Sequence, residues 1–414
     1  MAVCPSAWAQ LQLTSSQGPA LESLAAGAGR QLTTKGLASG LKLGENALLH
    51  AALMTDIGYD TNVFYAPSSE AKPSPVLHVL PKLELTNAER DGSQPRGVYY
   101  DLYAALDLRK YLSSTDEITE HDALNPSVGG LVEFSSNQTV GFLIGDTFTR
   151  YEQPPYAPGD PITRDANMLS ANLRYSPGGG RLKLNLRYTN LIDKYEGVYD
   201  RGSNMGNEVV LDIGWRFLPK TSLYVQAAQG VITYFNSGNT KSYPLRTLAG
   251  LRGLLTHKLA LNLAAGYYNA FYETGDSPSG WGNVGIVSEI QYSINLLSRM
   301  GVGYRHDFAN SPFVGGFYDM DAIYAAYQQL IASRVMAYLY ARYENRRFGN
   351  NTGRTDNYFA GGVSVDYIIG RFFLLGASYL MNLNGSEQDV SSGLVTGGID
   401  YSKHVLLLRL GVVY

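Results

Sequence analysis

From about Leu49 to Tyr414 the chain repeats one pattern: short segments of alternating apolar and polar residues, joined by links rich in turn residues. The segment Arg181-Leu182-Lys183-Leu184-Asn185-Leu186-Arg187-Tyr188 shows the unit plainly. A period of two puts successive side chains on opposite faces of a strand. Each segment therefore offers one face to an apolar medium and the other to water. A soluble sheet has no need of that arrangement along nearly a whole chain, whereas a membrane-spanning β-barrel with a wet interior requires it.

The 414 residues would suffice for two or three soluble domains or for one large barrel. Glycine (45) and tyrosine (31) are plentiful, the hydrophobic share is 45%, and mean hydropathy is -0.13. No run of about 18 apolar residues occurs, so a transmembrane helix is excluded. A barrel tolerates this composition because lumen residues dilute its apolar residues one to one. A net charge of -3 gives no general affinity for nucleic acid.

Ala7-Trp8-Ala9 before Gln10 resembles the cleavage site of a secretory signal peptide. Residues 1–9 are accordingly read as the remnant of such a peptide, with its start upstream. Cleavage there would remove Cys4, the sole cysteine, leaving no disulfide and no cysteine-type metal site. Residues 10–48 are rich in Gly, Ala and Ser without strand periodicity, and are expected to form a periplasmic lead-in or to enter the barrel mouth. Residues 49–414 form the barrel.

Tight connections fall near Ser136-Asn137, Pro177-Gly178-Gly179, Pro219-Lys220, Thr256-His257, Leu297-Ser298, Ile331-Ala332 and Gly370. Longer links, such as Gln153 to Thr163 and Asn384 to Ser392, alternate with them and carry Gly, Pro, Asn, Asp and Ser. Short periplasmic turns and longer extracellular loops characterise outer-membrane barrels. The count is about 18 antiparallel strands, an even number with both termini in the periplasm. Parity slips near Lys403-His404, which predicts a bulge. The end of the chain, with Leu406, Leu408, Leu410, Val412 and Tyr414 on one face, resembles the signal read by the barrel-insertion machinery. Outer-membrane lipid and lipopolysaccharide would surround such a barrel.

Parity also assigns the charges. A charge facing lipid near the midplane costs about 2 to 4 kcal/mol, so the charged positions are read as lumenal. Middle strands contribute a basic set, Arg174, Arg181, Lys183, Arg187, Arg216, Arg246 and Arg252. First and last strands contribute an acidic set, Asp56, Asp60, Glu84, Asp101, Asp107, Asp366 and Asp400, while Glu289, Arg342, Glu344 and Arg346 line the pore elsewhere. In a closed barrel the two sets oppose each other, so either a field crosses the pore or the charges simply solvate and cross-link the wall. No extracellular link is much longer than Leu112 to Pro126, which predicts a wide aqueous channel without a constriction.

Gly58-Tyr59-Asp60-Thr61-Asn62-Val63-Phe64-Tyr65, with Gly40-Leu41-Lys42-Leu43-Gly44 and Leu48-Leu49-His50 before it, resembles the entry strand of a bacterial family of outer-membrane β-barrels. The genes of that family often accompany exopolysaccharide and capsule synthesis. Its myxobacterial members are similar to eighteen-strand porins proposed to complete polysaccharide export. The resemblance covers only about residues 40 to 65. It implies a polysaccharide as transported substrate and a periplasmic polysaccharide export protein as partner. The pattern itself equally suits a general or substrate-specific porin for small hydrophilic solutes. An Asp and an Asn near a strand end also fit a plain role in capping the rim. Inward tyrosines such as Tyr99, Tyr103, Tyr338 and Tyr340 offer faces for stacking on sugars, or fill the lumen. The six histidines are scattered and none pairs with a nucleophile at recognisable spacing, so neither an enzyme nor a cofactor is expected.

Overall fold

The computed structural model describes residues 40–44, 47–87, 97–134, 139–154, 161–236, 240–273, 283–295, 297–311, 313, 316–332, 334–349, 353–387, 391–392, 395–396 and 400–414. The signal-peptide reading of residues 1–9, and the lead-in up to residue 39, lie outside the described residues. The barrel begins with β1 (Ala47–Asp60), β2 (Ser74–Thr86), β3 (Val98–Tyr111), β4 (Ala123–Phe134), β5 (Val140–Gln153) and β6 (Ile162–Tyr175). It continues with β7 (Leu182–Tyr195), β8 (Asn204–Leu218), β9 (Thr221–Tyr234), β10 (Ser242–Leu254), β11 (Leu259–Tyr272) and β12 (Asn283–Asn295). The last third comprises β13 (Ser298–Ser311), β14 (Gly316–Ile331), β15 (Val335–Phe348), β16 (Thr355–Ile369), β17 (Phe373–Ser386) and β18 (Tyr401–Val413).

Each strand pairs antiparallel with its sequence neighbours, and β1 pairs with β18 to close the barrel. A short arm, Leu41–Leu43, folds back on β1 and makes the sheet 19-stranded by count. The expected count of eighteen is therefore met by the strands that form the wall. Closure follows from lipid as solvent: an unpaired edge in hydrocarbon leaves N–H and C=O groups with no partner.

The seam is held by backbone register from Ala52↔Val413 to Asp60↔Val405. Tyr414 N–H donates to Ala51 O at 2.8 Å, and Thr61 N–H donates to His404 O at 3.0 Å. Gly58 is required here, because a Cβ would lie 1.8 Å from Leu406 O. Behind the seam, Arg409 Nε and Nη2 donate to Asp56 Oδ1 and Oδ2 at 2.8 and 2.9 Å, both residues buried. The bulge expected at Lys403-His404 is absent: the register with β17 runs regularly through Asn382↔Lys403 and Met381↔His404. Lys403 points inward to Asp60 at 2.8 Å, and His404 points outward to the Tyr379 hydroxyl at 2.7 Å, so each polar side chain has a partner on its own face.

The turns on one side are tight. Between β6 and β7, Gly178 and Gly179 both take positive φ (60° and 69°), a region where a Cβ is costly. The outer wall carries exposed Leu53, Ile57, Val209, Leu211, Val363, Val365, Leu406 and Leu408. At the tight-turn end Phe134 meets Phe142, Trp215 meets Phe217 and Phe372 stacks on Tyr414 with centroids 5.8–6.3 Å apart, forming an interfacial aromatic belt. An apolar band bounded by aromatics on a closed antiparallel barrel makes this a transmembrane barrel of the outer-membrane type.

Replacing Arg409 by Met should leave Asp56 charged and unpaired at the seam, destabilising the barrel by about 3 to 5 kcal/mol. Denaturant unfolding in detergent micelles measures this, and adding Asp56→Asn should recover most of the loss.

Candidate functional site

The inner wall is uneven. Inward side chains of β16–β18 and β1, among them Ser364, Asp366, Leu374, Ser378, Leu407, Arg409, Met54 and Asp56, are buried. Midway along β3–β7 the inward Tyr103, Ser127, Thr147, Met168 and Lys183 are half-buried or exposed, whereas Tyr111, Ile162, Arg164 and Tyr195 at the extracellular ends of those strands are buried. Met168, though apolar, is 45% exposed on the lumen face. Water therefore reaches the middle of the β3–β7 wall, while side chains fill the β16–β1 side.

Most predicted lumen charges are matched to a neighbour. On the β16–β2 side Asp56 and Asp366 share Arg409, Asp60 takes Lys403, and Glu84 meets Lys82 at 3.1 Å. Asp107 accepts the His78 ring at 2.7 Å, and Asp101 accepts the Tyr99 hydroxyl. Among the basic set, Arg174 pairs with Glu133, Arg252 with Asp212 at 2.6 Å, and Arg246 with Asp307 at 3.1 Å. Arg342 and Arg346 flank Glu344, and Glu289 accepts from Gln291 and Tyr324. Parity alone shows which face a residue takes, not its partner. Thus Arg409, Lys403, Asp307, Glu133 and Asp212 completed pairs that the two opposed sets did not include. Inward placement opposite a like-facing counter-charge was the available signal.

Two positions differ from expectation. Asp400 precedes β18 and is exposed at the extracellular rim, where it accepts the Ser386 N–H at 2.6 Å, so it is not part of the lumen wall. Arg181 lies in the β6–β7 turn at the periplasmic mouth, where its carbonyl accepts the Arg216 N–H. Arg216 in turn donates to Gly179 O at 2.8 Å.

Among the described residues Arg181, Lys183 and Arg187 have no acid within ion-pair distance. Arg181 and Lys183 are exposed, and the buried Nε of Arg187 finds no acceptor in the protein. They occupy successive inward levels of β7 and its turn, with Asn185 between and bonded to Asp212 at 3.3 Å. The result is a basic ladder without direct ion pairs, rising from the periplasmic mouth along the wet wall; Glu208 and Asp212 of β8 act on Arg187 only through space.

The extracellular mouth is narrowed, against the expectation of a wide pore without constriction. Phe313, from the short β13–β14 link, packs edge-on against Tyr195 at 5.0 Å and Tyr199 at 5.2 Å. Their cluster also holds Ile162 of β6 and Tyr318, Met320 and Phe348 of β14 and β15, strands on opposite sides of the barrel. The Tyr234 hydroxyl of β9 donates to Asn310 of β13 at 2.8 Å. On the other side Val63 and Phe64 tuck in against Tyr111 and Ile118, the latter on the short helix Asp116–Thr119. Asn62 fixes that loop, donating to Ala66 O and Ser402 O and accepting the Ala66 N–H. Burial beside Tyr401 and Asp60 raises the Tyr65 hydroxyl pKa well above its usual value. Loop length is a poor guide to closure here, because bulky side chains at the strand ends reach across.

The architecture and the lumen define the class as an outer-membrane β-barrel. No family model matches the chain, and no curated protein matches it. Solved structures of similar architecture include a mutant ferric enterobactin receptor of Pseudomonas aeruginosa (TM-score 0.45, 9% identity, 88% of this chain and 80% of that one). OccAB3 of Acinetobacter baumannii gives 0.43 and 11%, covering 88% of this chain and 99% of that one. The outer membrane protein opdK of Pseudomonas aeruginosa gives 0.45 and 11% over the same shares.

Truncating Phe313 to Ala removes the ring on which Tyr195 and Tyr199 close. Single-channel conductance in planar bilayers should rise, whereas Val198→Ala, at a side chain exposed to solvent, should leave it unchanged.

Proposed function

We propose that the protein is a passive outer-membrane channel for small hydrophilic solutes, with a preference for anions. The observation that carries this reading is the ladder of Arg181 at the mouth and inward Lys183 and Arg187, which have no acid within ion-pair distance among the described residues, on the wall that water reaches. Matched pairs elsewhere largely cancel at a distance, so the field a solute meets comes mainly from unmatched charge. The periplasmic turns add to it, since Lys220, Lys258, Arg334 and Arg371 occur there without an acid in the same turns. The aromatic cluster at the extracellular mouth favours small solutes over a thick polymer. The chain is read as having no catalytic role.

Export of a polysaccharide is the second reading, supported by the resemblance over residues 40 to 65. Within that stretch Asp60 and Asn62 are engaged in holding the seam and its loop, which accounts for both residues without a transported polymer. In that reading a periplasmic export protein would meet the tight-turn face.

Reversal potentials under a salt gradient test the proposal. The wild-type channel should prefer anions, and the triple substitution Arg181→Glu, Lys183→Glu, Arg187→Glu should shift preference toward cations. An unchanged preference rejects the ladder's role. Loss of surface polysaccharide in a deletion strain, with small-solute uptake intact, would favour export instead.

A further inference from the structure

The rule that lipid-facing positions are uncharged has an exception well inside the apolar band. Asp146 lies midway along the 14-residue strand β5. Val140, Phe142 and Ile144 on the same parity are exposed to lipid, and Asp146 is itself exposed. Its lateral partners, Gly130 on β4 and Leu169 on β6, share that outward face. Apolar side chains continue above it through Phe148 and its partner Val128, then Leu124 and Leu108. The charged extracellular rim begins on these strands one outward position beyond Phe148, with the pair Arg150–Asp165 at 3.1 Å, so Asp146 lies below it, separated by that ring.

Asn167 Nδ2 donates to Asp146 Oδ1 at 3.0 Å, the one hydrogen bond to that carboxylate among the described residues. The outward polar line then continues across β7 and β8. Asn190 Nδ2 donates to Asn207 Oδ1 at 2.9 Å, and the Tyr188 hydroxyl donates to the same oxygen at 2.7 Å. Lipid chains offer no donor to the second carboxylate oxygen, and an ionisable group facing hydrocarbon is costly and therefore marks a contact.

We propose that the β4–β6 face is an interface with a second copy of this chain, centred on Asp146 and Asn167. The pair is self-complementary. An asparagine amide carries two donor hydrogens and a carboxylate has two acceptor oxygens. Each Asn167 donates one hydrogen to its own Asp146 and the other to the partner's Asp146, closing a ring of four hydrogen bonds. A twofold axis along the membrane normal keeps both copies inserted in the same direction and brings equal depths together, so Asp146 meets its own counterpart. Isologous contacts of this kind are the commonest in homo-oligomers. Around the ring Val128, Ile144, Phe148 and Leu169 supply apolar contact.

The test is disulfide cross-linking of the full chain in lipid bilayers in a Cys4→Ser background. Leu169→Cys should yield a covalent dimer in high yield, and Val363→Cys, outward on β16, should yield little. Adding Asp146→Leu should cut the Leu169→Cys dimer at least several-fold while the heat-modifiable gel shift shows the barrel intact. Should Asp146→Leu fail to fold, Asn167→Leu gives the same readout with the carboxylate retained. Equal cross-linking at both cysteine positions, or a Leu169→Cys yield unaffected by a folded Asp146→Leu or Asn167→Leu barrel, overturns the proposal.

Discussion

Everything in this molecule depends on the junction of β1 with β18. In hydrocarbon no water completes a hydrogen bond, so a sheet with one free edge is not viable and closure is the condition for insertion. The junction joins residues more than 340 positions apart in sequence, as in Lys403 donating to Asn62 O. Loop closure over such a span is entropically expensive. Specific side-chain contacts accordingly reinforce it: Arg409 with Asp56, Lys403 with Asp60, and the Thr61 hydroxyl with the His404 N–H.

The same pairing logic shapes the lumen. Charges of neighbouring strands are satisfied laterally, which neutralises most of the wall and allows one side to fill with Met54, Leu374 and Leu407. What is left unneutralised acquires disproportionate weight, because a lone cation in a partly desolvated channel projects its field where matched pairs do not. The narrowed mouth works in the same direction by holding solutes close to the wall.

The outer surface is held to the opposite standard. Leu, Val and Ile dominate because lipid penalises anything else, so Asp146 attracts notice only against that background. A carboxylate of this kind inside the lumen would pass as one more wall charge.

The alternation made the barrel, its strand count, the side of the tight turns and the facing of Arg187, Glu289 or Arg342 legible in the sequence, because period and parity are local properties of a strand in a two-solvent setting. Lys403 shows the limit of that reading. Its parity looked irregular in one dimension, yet its side chain has a buried acid waiting on the strand from the other end of the chain. Partners across strands, the packed and wet halves of the lumen, and the meeting of Phe313 with Tyr195 depend on register and curvature. Those arise only when the sheet closes, so the sequence by itself determined the wall and the tertiary structure decided what the wall encloses.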